Sequence, residues 1–209
     1  MTYFDISPTL EASIAVWPGD QKFERSIGLS IAEGSNIDLS SIRTSVHVGA
    51  HADGPSHYHG DGKAIALVNL EAYWGKCIVV KLAILRNQLI LPEHCREAVE
   101  SGVKRVLFCT NTYPDPRVFN RDFAAFSPEA LDFLGSRGVL LVGIDTPSVD
   151  LFDSKDLPAH QMLYNHGIAN LEGLVLSHVP PGIYELSALP LKIADSDGSP
   201  VRAALKSLI

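Results

Sequence analysis

Cysteine is scarce in this chain, and its spacing argues against a fold held together by disulfides. Only three cysteines occur among 209 residues, and no C-x-x-C pair is present. Small secreted domains that depend on disulfides carry many, usually even-numbered cysteines. We therefore expect Cys77, Cys95 and Cys109 to be reduced structural thiols in a cytoplasmic protein. The first residues lack a basic segment followed by an apolar run, so we expect no secretory signal.

Long apolar runs and clusters of positive charge are also lacking. The apolar stretches at 77–85 and 138–144 are too short or too interrupted to cross a bilayer. The formal net charge is −7, and no group of lysines and arginines stands out, so nucleic acid is not an expected partner. Apolar residues make up 46% of the chain and charged residues 20%, which predicts a packed core.

Several well-known catalytic motifs are missing as well. The sequence has no G-x-S-x-G nucleophile elbow, no G-x-x-x-x-G-K-[ST] phosphate loop and no G-x-G-x-x-G segment after a strand. These absences argue against an α/β-hydrolase, a P-loop nucleotidase and a dinucleotide-binding enzyme. Any chemistry must come from a different set of side chains.

The order of apolar and helix-breaking residues predicts a mixed α/β fold in a single domain that spans residues 1–209. Strands are predicted where β-branched and apolar residues run together, and helices where caps and glycines bound an amphipathic pattern. The predicted strands are 41–48, 76–83, 103–111, the start of 139–150, and two strands about a turn at 195–199. The predicted helices are 91–102, 126–138 and 157–167.

The segment HVGAHADGPSH, residues 47–57, carries the clearest chemical signal. Glycine and proline make a helix improbable there, so we expect an extended chain with alternating side chains from 47 to 53. In that conformation His47, His51 and Asp53 share one face, and Gly49 leaves space between the two imidazoles. Imidazole nitrogen with carboxylate oxygen suits zinc or manganese. A turn at 54–55 would return His57 to the neighbourhood without making it a ligand.

Isolated histidines are usually ordinary core or surface residues, and this alternative applies elsewhere in the chain. His59 belongs to a segment that resembles an exposed turn, and His94 lies on a predicted helix, so we interpret both as surface residues. His166 precedes a glycine at a helix end, where the helix dipole accounts for it adequately. The sequence does not distinguish the alternatives for His178.

A metal ion needs more ligands than one strand provides. Further candidates follow late in the chain, at His160, His166, Glu172 and His178. Glu172 lies in uncharged surroundings, where a lone carboxylate would be costly unless it were paired. This favours Glu172 as a ligand, and His160 begins a predicted helix after a loop.

The motif and several other segments resemble a known family. HVGAHADGPSH resembles the H-x-G-[TA]-H-x-D-x-P-x-H signature of the metal-dependent cyclase-like hydrolases. The resemblance extends nearly end to end through AVWPGD, IDTPSVD, LPAH and IANLEGL. Within the family the sequence looks most like the bacterial kynurenine formamidase (arylformamidase) branch. Ala50 stands where the wider family often has threonine, and alanine there resembles that branch.

The resemblance implies a fold, a site and an assembly. The implied fold is a swivelling β/β/α domain, and the implied assembly is a homodimer or higher homo-oligomer. One zinc would be bound by His47, His51 and Asp53, and a second by His160, and Asp53 and Glu172 would bridge the pair. His57 would act as the catalytic acid and base. Trp17 would contact the substrate.

The activity implied is hydrolysis of N-formyl-L-kynurenine to L-kynurenine and formate, a step of tryptophan catabolism. Two divalent ions would activate water, and zinc, manganese and cobalt all suit the ligand set. A related hydrolase that acts on isatin or another N-acyl arylamine would use the same site with a different pocket. A non-catalytic metal-binding protein is the alternative from another class, and His57 argues against it because a storage site needs no proton shuttle.

Overall fold

A seven-stranded mixed sheet forms the centre of the computed structural model, which describes residues 1–208. Three two-stranded sheets surround it. The strands, numbered along the chain, are β1 Tyr3–Asp5, β2 Glu24–Leu29, β3 Leu39–Arg43, β4 His51–Asp53, β5 Trp74–Lys81, β6 Leu89–Ile90, β7 Arg105–Cys109, β8 Ala125–Phe126, β9 Leu141–Ile144, β10 Ala169–Leu171, β11 Gly182–Ser187, β12 Gly198–Pro200 and β13 Ala204–Ser207.

Helices are few and short in the described part of the chain. The α-helices are α1 Arg96–Glu100, α2 Pro128–Gly135 and α3 Pro158–His166. Short 3-10 helices lie at Ile31–Glu33, Pro55–His57, Ile65–Leu67, Leu70–Tyr73 and Pro92–Cys95. The three predicted helical regions are therefore confirmed, and the predicted cap of α2 is present because the Ser127 side chain accepts a hydrogen bond from the Ala130 backbone. Such a cap contributes about 1 kcal/mol to helix stability.

The central sheet has the order β1-β13-β11-β5-β7-β9-β10. β5, β7, β9 and β10 run parallel, whereas β11 joins them through antiparallel pairing with β5. The carboxyl ends of the parallel strands meet at one edge of the sheet, where open α/β folds place their ligands. Functional residues that follow these strands therefore lie close together.

The two faces of the sheet have separate hydrophobic cores. Val79 and Leu107 point into one core with Ala50 and Ala52 of the histidine-rich segment. The residues that follow them on β5 and β7, Val80 and Phe108, point into the other core, which also contains residues of α2 and α3. Strands buried on both faces have continuous apolar sequences, which explains why β5 and β7 were predictable from sequence. Ala50 and Ala52 are fully buried in this core, so the small apolar residues of the motif pack inward.

The predicted extended conformation of residues 47–53 is wrong for its first half. Only His51–Asp53 form a strand, and β3 ends at Arg43, well before His47. Gly49 has φ of 59°, the left-handed region, and a Cβ there would lie 3.0–3.1 Å from side-chain atoms of Leu10, Ile14 and Pro8. Gly49 thus permits a tight turn against an apolar wall, and it does not separate two imidazoles.

The predicted pair of strands about the turn at 195–199 is confirmed, because β11 before the turn and β13 after it pair antiparallel. β11 pairs with β5 and β13, and β12, which follows the turn, pairs with β4 of the histidine-rich segment. The Gly54 backbone N–H donates to the Asp197 carbonyl at 2.7 Å. The additional pairing of β12 with β4, which was not predicted, places the turn against the motif.

Residues 24–43 form an arm that projects from the sheet. β2 and β3 pair with each other, and all of their residues are exposed. Arg25 pairs with Ile42 and Ile27 pairs with Ser40, so both isoleucines lie on one face of the arm. They are 62–63% exposed. An isolated two-stranded hairpin is at best marginally stable in water, so this arm is expected to pack against another surface.

No helix within residues 1–208 is long and apolar enough to span a bilayer. All three cysteines are buried free thiols, as predicted. Burial raises the pKa of each of the three thiols to about 12.

We expect these thiols to be inert toward a disulfide reagent such as DTNB in the native protein at about pH 8. At that pH the thiolate fraction of such a thiol is about 10⁻⁴, and burial blocks access to the sulfur. All three should react once the protein is unfolded in guanidinium chloride, which provides the control. A stoichiometric reaction of any cysteine before unfolding would contradict this expectation.

Candidate metal centre

The centre of the site is a backbone bridge between two distant segments. His51 and Glu172 form an isolated antiparallel bridge, with N–H to carbonyl distances of 3.1 and 3.0 Å in the two directions. Glu172 directly follows β10. The next residue, Gly173, has a φ of 64°, and a Cβ on it would lie only 2.2 Å from the Gly49 carbonyl oxygen. The bridge therefore depends on close backbone approach and holds Glu172 beside the motif.

The buried carboxylates of Asp53 and Glu172 lie beside this bridge. One oxygen of each carboxylate faces His51, and the other oxygen faces His160. Asp53 Oδ1 lies 2.9 Å from His47 Nδ1 and 3.5 Å from His51 Nε2, whereas Oδ2 lies 3.4 Å from His160 Nε2. Glu172 Oε2 lies 3.3 Å from His51 Nε2, and Oε1 lies 3.5 Å from His160 Nε2. These are the directions that two carboxylates bridging a pair of cations would need.

Each of these histidines has its other ring nitrogen held by an acceptor. His47 Nε2 lies 2.9 Å from Asp197 Oδ2, His51 Nδ1 lies 2.9 Å from the Gly49 carbonyl, and His160 Nδ1 lies 2.7 Å from Asp150 Oδ2.

An acceptor behind the ring fixes the tautomer of a histidine, so that the opposite nitrogen presents its lone pair. All three lone pairs therefore point toward the two carboxylates.

Asp150 illustrates how the fold positions one ligand. Its carboxylate accepts hydrogen bonds from the backbone N–H groups of Ala159 and His160, at the start of α3. The same carboxylate holds the His160 ring. One side chain thus caps the helix and orients the histidine that the helix presents.

The electrostatics of the cluster favour charged groups despite their burial. Burial lowers the pKa of His47, but hydrogen bonds and charge from Asp53 and Asp197 raise it to about 9. Burial raises the pKa of the Asp53 carboxyl, yet hydrogen bonds from His160 and His47 hold it well below its usual range. These shifts favour the ionised carboxylates and the protonated imidazoles, and a cation could take the place of the imidazole protons.

The residues fit divalent metal ions. Buried carboxylates are costly unless they are paired, and no ion pair found in residues 1–208 joins Asp53 or Glu172 to a lysine or an arginine. Asn170 donates to Asp53 Oδ2 at 2.6 Å and to Glu172 Oε1 at 3.1 Å, which holds both carboxylates but adds no charge. Converging imidazole nitrogens and carboxylate oxygens form a donor set suited to zinc and related metals.

His57 lies at the edge of the cluster, as predicted, on the short helix Pro55–His57. Its ring centroid is 4.1 Å from that of His47, and its Nδ1 is 3.4 Å from Asp197 Oδ2. The side chain is 36% exposed, whereas that of His51 is 3% exposed. His57, His47 and Asp53 could also hold an ion by distance alone, so metal content must decide whether His57 is a ligand.

A cavity of about 300 Å³ opens onto the cluster. The side chains of His57, His160 and Glu172 line one part of it, and an aromatic wall that includes Trp17 and Phe119 lines another. The Trp17 ring stacks on Phe152, with a centroid distance of 5.0 Å, and meets Phe119 edge-on. The volume lies at the lower end of the range for small-molecule sites.

The remaining histidines lie outside the cluster. His59 stacks on Tyr164 at 3.5 Å, His94 accepts a hydrogen bond from the Leu91 backbone, and His166 Nε2 lies 2.9 Å from Asp132. His178 is exposed and contacts Phe4. These positions agree with ordinary structural roles for His59, His94 and His166, although His59 and His94 are half-buried.

Sequence reasoning missed Asp150, Asn170 and Asp197. Asp150 is ten residues before His160, and Asp197 is 150 residues after His47. Nothing in the spacing of these residues distinguishes them from ordinary turn and loop residues. Only the contacts made in the folded chain reveal that they hold the cluster.

Comparisons with known proteins agree with this site. The Cyclase family model matches residues 4–151, more than half of the chain. The chain belongs to the cyclase family. The matched part of this cyclase-family protein includes the histidine-rich segment but ends before His160 and Glu172.

Solved structures of similar proteins share its fold. A potential metal-dependent hydrolase with cyclase activity is 25% identical, with a TM-score of 0.82, and covers 98% of this chain and 96% of its own. Isatin hydrolase A from Labrenzia aggregata is 25% identical, with a TM-score of 0.83 and coverages of 98% and 93%. The Ralstonia solanacearum isatin hydrolase A shares the fold at 22% identity and a TM-score of 0.82, with coverages of 98% and 91%. The predicted mixed α/β fold class is confirmed.

We expect Asp53→Asn and Glu172→Gln to lose bound metal as well as activity, because each removes a negative charge between the two halves of the cluster. His57→Ala should keep its metal and lose about 10²–10⁴-fold in turnover, the usual contribution of a positioned acid or base. Elemental analysis of purified variants beside steady-state kinetics is the measurement.

Asp61→Asn is the matched control, because Asp61 is exposed and lies eight residues after Asp53. It should retain full metal content. A metal-free His57→Ala variant would show instead that His57 is a ligand.

Proposed function

We propose that this protein is a metal-dependent hydrolase of arylamine amides whose substrate is N-formyl-L-kynurenine. The products would be L-kynurenine and formate. The observation that carries the proposal is a cavity lined both by an aromatic wall and by residues of the carboxylate–histidine cluster with His57. An aromatic amide bound along the wall would present its carbonyl group to the cluster. We further propose that residues 1–209 form one domain, and that its free thiols reflect a cytoplasmic location.

The directions of the donor atoms support the ligand set that we propose for the metal ions. His47, His51 and Asp53 would hold one ion and His160 the second, with the carboxylates of Asp53 and Glu172 shared between them. Zinc is the metal we propose, and manganese and cobalt suit the same donors. A bound pair of divalent ions supplies hydroxide near neutral pH and polarises the amide carbonyl.

His57 is proposed to move the proton. It lies beside the ligands, its ring is partly open to the cavity, and its Nδ1 faces Asp197. Its Nε2 would take a proton from water and deliver it to the arylamine nitrogen as the amide bond breaks. A protein that only stored metal would not need such a group, which favours an enzyme over a non-catalytic metal-binding protein.

Trp17 is proposed to bind the aromatic ring of the substrate. Its contacts with Phe152 and Phe119 fix the indole, so that little side-chain entropy is lost when a ligand stacks on it. The formyl carbon carries only hydrogen, so a small space beside the cluster would accept it and exclude larger acyl groups.

Isatin, a cyclic arylamide, is the second candidate substrate, and the polarity of the cavity favours it. No lysine or arginine lines the cavity in the described part of the chain, whereas Asp20 and Asp145 do. Asp20 could face the ammonium group of an amino acid, but the α-carboxylate of formylkynurenine has no basic partner there. Uncharged isatin needs none, and isatin hydrolases are among the similar structures.

We propose that the protein is a homodimer and that the arm of residues 24–43 forms the contact. Nearly all of its residues are exposed, and a stable interface uses about 20–30 residues a side. One face carries Ile27 and Ile42, whereas the opposite face carries Ser26 and Ser41. Burial of the isoleucine face against a second copy would stabilise this exposed hairpin.

The substrate assignment predicts that kcat/KM is highest for N-formyl-L-kynurenine. N-acetyl-L-kynurenine adds a methyl group to a space sized for hydrogen, and overpacking costs about 1–3 kcal/mol, or roughly 5–150-fold in kcat/KM. Isatin would place a fused ring in that space. The measurement is kcat/KM for the three compounds on one metal-loaded preparation.

His57→Ala on the same preparation controls for contaminating activity. If isatin is the best of the three compounds, the formamidase assignment is wrong and isatin hydrolysis replaces it. The cluster and its proposed ligands are unaffected by that outcome.

The dimer proposal predicts that Ile42→Asp yields a monomer, because the change removes apolar contact from the isoleucine face and adds a carboxylate that must be desolvated in the interface even beside Arg25. Ser41→Asp is the matched control, since it adds the same charge on the opposite face of the arm. Light scattering coupled to size exclusion gives the masses. A wild-type monomer at micromolar concentration, or a dimeric Ile42→Asp variant, would rule out this contact.

A further inference from the structure

Asp197 lies where two histidines of the site meet. A single oxygen, Oδ2, is 2.9 Å from His47 Nε2 and 3.4 Å from His57 Nδ1. The two rings are 4.1 Å apart and inclined by 36°, so both present a nitrogen to the same side. A carboxylate oxygen has two lone pairs and can accept an N–H from each ring.

The backbone of the turn holds this carboxylate in place. The Asp197 carbonyl accepts a hydrogen bond from the backbone N–H of Gly54. The Ser196 carbonyl accepts one from the backbone N–H of Ile65, at 2.9 Å. Gly198 pairs with Asp53, and a Cβ at this glycine would lie 2.8 Å from His47 Cε1. The turn is therefore fixed against the motif on both sides of Asp197.

The contacts have a different consequence for each histidine. An acceptor at Nε2 of His47 keeps the proton on that nitrogen and leaves the lone pair of Nδ1 directed at Asp53, toward the cluster. Asp197 Oδ2 lies 3.4 Å from Nδ1 of His57, longer than a normal hydrogen bond, but its negative charge favours a proton on that nitrogen and leaves Nε2 free to take a proton from the cavity. One carboxylate could thus set the tautomer of a metal ligand and that of the acid and base.

We propose that Asp197 is a positioning residue that serves both His47 and His57. It raises the affinity of the cluster for metal through His47 and raises turnover through His57. This inference rests on the proposed function for the role of His57, but its effect on metal affinity does not depend on any substrate.

Metal affinity is the first test, measured by competition with a chelator on the folded full-length protein. Asp197→Asn should bind zinc about 10–100-fold more weakly, the usual effect of losing an acceptor behind a ligand histidine. Asp195→Asn is the matched control, because it removes the same charge from the same turn, and asparagine tolerates the φ of 56° found there. It should bind zinc as the wild type does, and Asp197→Glu should recover part of the affinity.

Turnover at saturating metal is the second test. Asp197→Asn should lower kcat about 10-fold or more with little change in KM, because Asp197 does not itself line the cavity. In a His57→Ala background the same substitution should leave kcat unchanged, since the residue through which it acts is gone. An activated N-formyl arylamine keeps the slower variants measurable.

The outcomes separate this inference from the proposed function. Equal zinc affinity of Asp197→Asn and the wild type would overturn the role toward His47. An equal loss of kcat in both backgrounds would overturn the role toward His57 and indicate a structural effect. If no arylamide is hydrolysed, the proposed function fails, whereas a weakened zinc affinity would still support the assignment for His47. The Asp197 side chain is 51% exposed, so the variants should fold.

Discussion

The bridge between His51 and Glu172 is the interaction on which the site depends. It joins the strand of the histidine-rich segment to the end of β10, so that Asp53 and Glu172 lie together in a buried place. Two buried carboxylates repel each other unless positive charge lies between them. Here the histidines supply that charge, and a metal ion could replace their protons. The paired backbone of the bridge holds the two carboxylates together despite this electrostatic cost.

Hydrogen-bond acceptors on the outer ring nitrogens of His47, His51 and His160 fix the directions in which the inner nitrogens point. Asp150, Asp197 and the Gly49 carbonyl each hold the nitrogen that faces away from the carboxylates. Fixed tautomers mean that the donor atoms need little rearrangement when a cation binds, which is the physical basis of preorganisation. The cavity with its aromatic wall then determines what can reach the cluster.

Local interactions explain which elements of the structure could be predicted from the sequence and which could not. β5 and β7 are continuous apolar runs because both faces are buried, and the Ser127 cap and Gly167 mark helix ends through purely local hydrogen bonds. The conformation of residues 47–50 was predicted wrongly because alternation assumes an extended chain. Gly49 instead adopts a left-handed conformation, and Pro8, Leu10 and Ile14 leave little room for a Cβ at that position. The pairing of β12 with β4 has no local signal at all.

The sequence by itself determined the mixed α/β class, the reduced thiols and the donor atoms concentrated in residues 47–57, because these depend on composition and neighbouring residues. Only the tertiary structure decided that Glu172 and His160 converge with Asp53, and that Asp197 reaches both His47 and His57. Those contacts join residues more than a hundred positions apart. They depend on the order in which strands pair, and strand order is decided by packing of the whole chain rather than by any segment of it.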